Sequence, residues 1–167
     1  MKKFYIETLG CKVNQYESDG IAFGLEKQGW VKGKKNKKAD VFIINTCAVT
    51  SKASMQSRQV IRKIIRENPD AKVIVTGCHA QTEPEQIKKI DRIDESGLII
   101  CNKDKTRIAN HINLICNNNS SLEFKKTAQG KADTFPGFDH AVKGAMTRAY
   151  LKIQDGCNAF CTYCIVP

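Results

Sequence analysis

The sequence predicts an α/β fold, an open parallel sheet with helices on both faces, followed by a linker and the start of a second, incomplete unit. Three observations predict it. Four short β-branched runs alternate with stretches of helical periodicity, the order that builds parallel strands joined by crossover helices. The main runs are apolar throughout rather than alternating, as strands covered on both faces are. Each of the first three runs leads into a cysteine.

Phe4-Tyr5-Ile6-Glu7-Thr8-Leu9 is ended by Gly10-Cys11 and reads as strand, turn, cysteine. Residues 14–29 then have helical character, with Ile21 and Leu25 on one face and Gly29 as the stop. The pattern recurs at Val41-Phe42-Ile43-Ile44-Asn45-Thr46-Cys47. A helix is expected from about Thr50 to Asn68, with Val60, Ile61, Ile64 and Ile65 as its apolar stripe and Pro69 preventing continuation. The third copy is Lys72-Val73-Ile74-Val75-Thr76-Gly77-Cys78. Its helix is expected near Thr82, where Thr82 and Glu85 have capping-box spacing and Pro84 falls in the first turn. Leu98-Ile99-Ile100-Cys101 is a shorter fourth strand, and Ile108, Ile112 and Ile115 mark a helix opened near Asp104.

Asn117-Asn118-Asn119-Ser120-Ser121 breaks the pattern, and residues 125–146, with Gly130, Pro136, Gly137 and Gly144, read as a linker. Ala149-Tyr150-Leu151-Lys152-Ile153 is expected to be one more strand. The domains are therefore expected at 1–124 and 147–167, the second one truncated.

A chain of 167 residues can bury one sizeable core but not two of ordinary size. A barrel built on the final strand would need on the order of 200 further residues. The sequence stops three residues past Cys164, so it is expected to belong to a longer polypeptide. The net charge of +10 favours a polyanionic partner, nucleic acid first, over an acidic small substrate; a merely solvated basic surface is the alternative. Eight cysteines occur without a secretory leader, since Met1-Lys2-Lys3 runs straight into a strand, and without an apolar run long enough to cross a membrane. The expected setting is a reducing cytoplasm, with cysteines used as metal ligands.

Ligands of open parallel sheets bind beyond the carboxyl ends of the strands. Cys11, Cys47 and Cys78 occupy that position after three different strands. Neighbouring strands lie about 4.8 Å apart, so these thiols are able to converge despite their separation in sequence. One cysteine after a strand reads as a small buried hydrophobe. Three at equivalent positions read as ligands, and nearby helix amino ends favour their negative charge. Cys101 and Cys116 read as packing residues, His79 as a loop histidine without a metal role, and His111 and His140 carry no spacing signal. Arg58, Arg62 and Arg66 form a basic row suited to a solvated face or to phosphate contacts. The loop from Lys32 to Lys38 has the same two readings, and its lack of aromatics argues against base stacking there.

The second set is Cys157, Cys161 and Cys164, spaced C-x-x-x-C-x-x-C, with Asp155-Gly156 before it and Phe160 and Tyr163 inside it. A structural zinc site is closed by four protein ligands. Three cysteines on an iron–sulfur cluster leave one iron free for a small molecule. This loop resembles the cluster loop of the radical S-adenosylmethionine (SAM) enzymes.

Taken with Thr8-Leu9-Gly10-Cys11-Lys12-Val13-Asn14-Gln15-Tyr16-Glu17-Ser18, Asn45-Thr46-Cys47-Ala48-Val49-Thr50 and Val75-Thr76-Gly77-Cys78-His79-Ala80-Gln81, it makes the chain resemble the amino-terminal portion of a radical SAM methylthiotransferase. The resemblance implies an auxiliary 4Fe-4S cluster on Cys11, Cys47 and Cys78, a SAM-cleaving 4Fe-4S cluster on Cys157, Cys161 and Cys164, and the first strand of a truncated radical SAM barrel. It implies a tRNA anticodon loop, SAM and an electron donor as partners, and assigns no side chain a catalytic role. Cys-Lys-Val-Asn-Gln and Thr-Cys-Ala-Val-Thr resemble the branch acting on N6-threonylcarbamoyladenosine at position 37. The branches acting on isopentenyladenosine or on a ribosomal protein are the alternatives, and a zinc-stabilised RNA-binding module without chemistry is the reading from another class.

Overall fold

The computed structural model describes residues 1–34, 37–93, 97–118, 137–138, 150, 152–154, 156–164 and 166. Five strands form one parallel sheet: β1 (Lys3–Thr8), β2 (Val31–Lys32), β3 (Val41–Thr46), β4 (Lys72–Gly77) and β5 (Gly97–Ile99), in the order β2-β1-β3-β4-β5. The helices are α1 (Lys12–Lys27), α2 (Ser51–Glu67), α3 (Cys78–Thr82), α4 (Pro84–Lys88) and α5 (Ile108–Asn118), the last preceded by a 3-10 helix over Asn102–Arg107.

Side-chain alternation divides the interior into two apolar layers. Val41, Ile43, Ile74, Leu98 and Ile100 face α1 and α5, where they meet Ile21, Leu25, Ile108 and Ile112. Phe42, Ile44, Val73, Val75 and Ile99 face the other way, against Ile61, Ile64 and Ile65 of α2 and Ile87 of α4. Both faces of β3 and β4 are thus covered, which is why their sequences are apolar without alternation. The parallel sheet with helices on both faces is as expected.

Four details differ from expectation. Val31–Lys32 adds an edge strand, too short and too exposed to leave an apolar signature. The Thr82–Glu85 capping box does not form. Thr82 Oγ1 donates instead to the Cys78 carbonyl inside α3, and α4 starts afresh at Pro84 because proline's fixed φ and missing N–H suit a first helical position. The fourth helix begins as a 3-10 turn at Asn102, earlier than Asp104. Finally, the strand expected over 149–153 is not seen. Residues 149 and 151 lie outside the described residues, and 150 and 152–154 adopt no strand, having no sheet to pair with among the described residues. Apart from residues 137–138, the linker expected at 125–146 also lies outside the described residues.

Candidate functional site

The candidate site is the rim formed by the carboxyl ends of β1, β3 and β4. Thr8 pairs with Asn45, and Thr46 with Gly77, so the three strands end at nearly one level and deliver Cys11, Cys47 and Cys78 to the same edge. The strand order reverses between β1 and β3. At such a switch point the two loops diverge and leave a crevice. Cys11 and Cys47 flank it, and Cys78 follows on the next strand.

Two glycines permit this convergence. Gly10 has φ +98°, and a Cβ there would lie 2.5 Å from Cys47 Cβ and 2.7 Å from Cys47 Sγ. The space that a side chain at position 10 would take is filled by the Cys47 thiol. Gly77 has φ +97°, and its Cβ would meet the Thr46 carbonyl oxygen at 2.3 Å. Glycine is the residue that reaches such backbone angles without a Cβ penalty.

Polar contacts then fix the rim. Ser57 of α2 grips both backbone groups of Cys47: its hydroxyl accepts from the Cys47 N–H at 3.3 Å and lies 3.0 Å from the Cys47 carbonyl. Buried Asn14 donates to the carbonyls of Leu9 (2.6 Å) and Thr46 (3.0 Å), tying the end of β1 to that of β3. Asn45 donates to the Asn14 carbonyl and to Ser18 Oγ, the hydroxyl that Thr8 also meets. Thr46 Oγ1 donates to the Thr76 carbonyl at 2.6 Å, joining β3 to β4.

Burial pushes the Cys78 thiol above its ordinary pKa; Lys105 opposes that shift, whereas Cys47, Cys11 and Glu17 add to it. Lys105 is buried and donates to Glu17 Oε2 at 2.5 Å, while Lys152 donates to Glu17 Oε1 at 2.9 Å. Burial alone would raise the Glu17 carboxyl, but Lys105 and Lys152 outweigh it and hold Glu17 below the usual carboxylate range.

His79 is not the loop histidine expected. It lies in α3 with a fully buried side chain, its Nδ1 3.0 Å from Glu83 Oε2 without an aligned hydrogen bond. Burial lowers its pKa, so the imidazole is neutral near neutral pH despite the opposing pull of Glu83. Cys101 is buried in the core and Cys116 packs partly buried against the α1–α5 layer, as packing residues do. Arg58 donates to Gln86, while Arg62 and Arg66 are exposed.

In the second set Cys161 and Cys164 are exposed and Cys157 is half-buried. The Ala159 N–H donates to Cys157 Sγ at 3.4 Å, and Phe160 and Tyr163 stand out into solvent. Among the described residues no three His, Cys, Asp or Glu side chains are gathered tightly enough to hold a single metal ion.

Comparison with known proteins places the rim in context. Residues 3–97 match the family described as Uncharacterized protein family UPF0004, a match that takes in β1 to the start of β5 and all three rim cysteines. The chain belongs to the UPF0004 family. Among curated relatives, the threonylcarbamoyladenosine tRNA methylthiotransferase MtaB of Bacillus subtilis is 39% identical over 96% of this chain and 35% of its own length. The MtaB of Thermotoga maritima is 38% identical over 99% of this chain and 36% of its own length. A tRNA-2-methylthio-N(6)-dimethylallyladenosine synthase of Pelagibacter ubique is 32% identical over the whole chain and 37% of its own length. The chain thus spans about a third of these curated relatives. The two MtaB proteins share more identity with this chain than that synthase does.

Sequence reasoning missed Ser57, Glu17, Lys105 and Lys152. Buried charges give no periodic signal, and a serine inside a helix is not distinguished by spacing. The one available clue was Glu17 itself, a carboxylate on the turn of α1 that also carries buried Ser18, Ile21 and Ala22.

Proposed function

We propose that this chain is the amino-terminal portion of a radical SAM methylthiotransferase that modifies C2 of N6-threonylcarbamoyladenosine at position 37 of tRNA. The observation that carries the reading is the gathering of Cys11, Cys47 and Cys78 at one switch-point rim, in a chain whose relatives are named for that reaction. The donor set suits a four-iron four-sulfur cluster better than zinc. Soft thiolates are the usual ligands of such clusters, and three of them leave one corner without a protein ligand, whereas a structural zinc site is closed by four. Cys11, Cys47 and Cys78 would hold one such cluster, and Cys157, Cys161 and Cys164 a second with an iron left open to SAM. When bound, the two clusters supply the sulfur to be inserted and the electron that cleaves SAM.

The chain's own residues do the positioning. Gly10 and Gly77 let three strand ends approach closely enough to share a ligand, and Ser57 fixes the Cys47 backbone. Lys105 sets a buried positive charge beside Cys78, where thiolates would otherwise repel one another. The amino end of α1 opens at Cys11, and its free N–H groups favour negative charge at the rim. The basic balance of the chain suits a tRNA partner, whose anticodon loop offers unstacked bases to a protein. A cytoplasmic setting follows from that partner.

The test is mass spectrometry of tRNA nucleosides from a strain lacking the full-length gene. Loss of the methylthio form of threonylcarbamoyladenosine, restored by the gene, is expected. An unchanged level of that nucleoside, or loss of the isopentenyl-type methylthio form instead, contradicts the assignment.

A further inference from the structure

The two cysteine sets are separated by a long stretch of chain, yet described residues that precede the second set, Phe138, Tyr150 and Lys152, meet α1. Its seat is one stripe of α1. Lys12, Tyr16, Glu17 and Gly20 lie at i, i+4, i+5 and i+8, on one side of the helix. Phe138 packs edge-on against Tyr16, at 6.2 Å between ring centres, and directly over Gly20, where a Cβ would come within 2.4 Å of its ring. Tyr150 lies under the Lys12 ammonium at 5.7 Å. Lys152 reaches Glu17 Oε1 at 2.9 Å.

The Glu17 contact differs from the others in being dry. The side chains of Glu17, Lys105 and Lys152 are 7%, 4% and 3% exposed. Lys105 alone would neutralise Glu17, so a second lysine arriving from 135 positions away is not needed for charge balance inside the domain. A lysine gives up its hydration only where a built acceptor replaces it. The second oxygen of Glu17 is that acceptor.

We propose that Glu17 is a positioning residue whose carboxylate clamps Lys152 to α1, fixing the chain five residues ahead of Cys157 relative to the rim that bears Cys11, Cys47 and Cys78. The purpose of the clamp rests on the cluster reading above, since two cofactors that act on one substrate need a set spacing. Its existence does not.

Limited chymotrypsin digestion of the 167-residue chain, read by mass spectrometry, tests it without any metal. In Lys152→Met cleavage after Tyr150 is expected to be roughly tenfold faster, while Phe42 in β3 stays as resistant as in wild type. Lys152→Arg, which keeps a cation able to reach the carboxylate, is expected to restore protection. Glu17→Gln is expected to release the same segment, but it strands two buried cations and also weakens the domain; the Lys152 variants therefore carry the decision. Unchanged cleavage after Tyr150 in Lys152→Met, or no recovery of resistance with Lys152→Arg, overturns the clamp. Failure of the cluster reading would register separately, as a lack of iron in the reconstituted wild-type protein.

Discussion

Replacing Gly10 with Ala perturbs the rim at its tightest point. The residue sits at φ +98°, and the added methyl would arrive 2.5 Å from Cys47 Cβ and 2.7 Å from its sulfur. A left-handed backbone costs a residue with a Cβ about 1–2 kcal/mol. Overpacking at a filled position costs about 1–3 kcal/mol more. The sum, about 2–5 kcal/mol, is a large share of the ~5–15 kcal/mol that holds a typical domain together. Urea unfolding of the metal-free protein measures it as a lowered midpoint. The two parts are separable, because Cys47→Gly removes both the carbon and the sulfur that the methyl would strike. In the Gly10→Ala, Cys47→Gly double variant the overpacking share is expected to disappear, giving a coupling of about 1–3 kcal/mol between the two sites. Strictly additive effects would mean that Gly10 does not make room for the Cys47 thiol, and the close convergence of β1 and β3 at the rim would have to be abandoned.

Three further outcomes follow from the same geometry. Ser57→Ala removes the hydroxyl that meets both backbone groups of buried Cys47, so a loss of about 1–3 kcal/mol is expected in the same unfolding assay; an effect inside measurement error would show that solvent replaces the hydroxyl. Glu17 is held below its ordinary value of 4.5, so the unfolded chain binds its proton more readily than the fold does. The stability it contributes is complete above that ordinary value and is lost as pH falls through the lowered one. The gap between wild type and Glu17→Gln is therefore expected to be widest near pH 7 and to close in acid, and a gap that does not vary with pH contradicts the buried ion-pair account. Ile61→Ala opens a void in the α2 layer, where the side chain is fully buried, and is expected to cost about 2–5 kcal/mol without altering the α1–α5 layer; near-neutral behaviour would contradict the close packing of α2 on the sheet.

The sheet was legible because its central strands are extreme cases. Residues 41–44 and 73–75 are buried on both faces, and such runs are apolar without alternation. The β2 edge could not be read, since Val31 and Lys32 are exposed and two residues carry no period. Start points failed where two rules competed: Thr82 and Glu85 had capping spacing, but Pro84 set the first turn of its own helix and left Thr82 as the end of the preceding one. At the site, the placement of Cys11, Cys47 and Cys78 just beyond the carboxyl ends of three strands was legible in a strict strand–turn–cysteine repeat. What supports them was not, because Ser57 and Lys105 act through long-range contacts that leave no local pattern. Burial of Glu17 between two lysines runs against the usual exposure of charge, so only coordinates could reveal it.

The account depends on Cys11, Cys47 and Cys78 acting as one ligand set, and iron analysis of Cys47→Ala tests that most directly. After anaerobic reconstitution with iron and sulfide, the variant is expected to hold about one cluster less than wild type while the loop of Cys157, Cys161 and Cys164 keeps its own. Equal iron and acid-labile sulfide in the two proteins, or stoichiometric zinc with no iron in either, would contradict it.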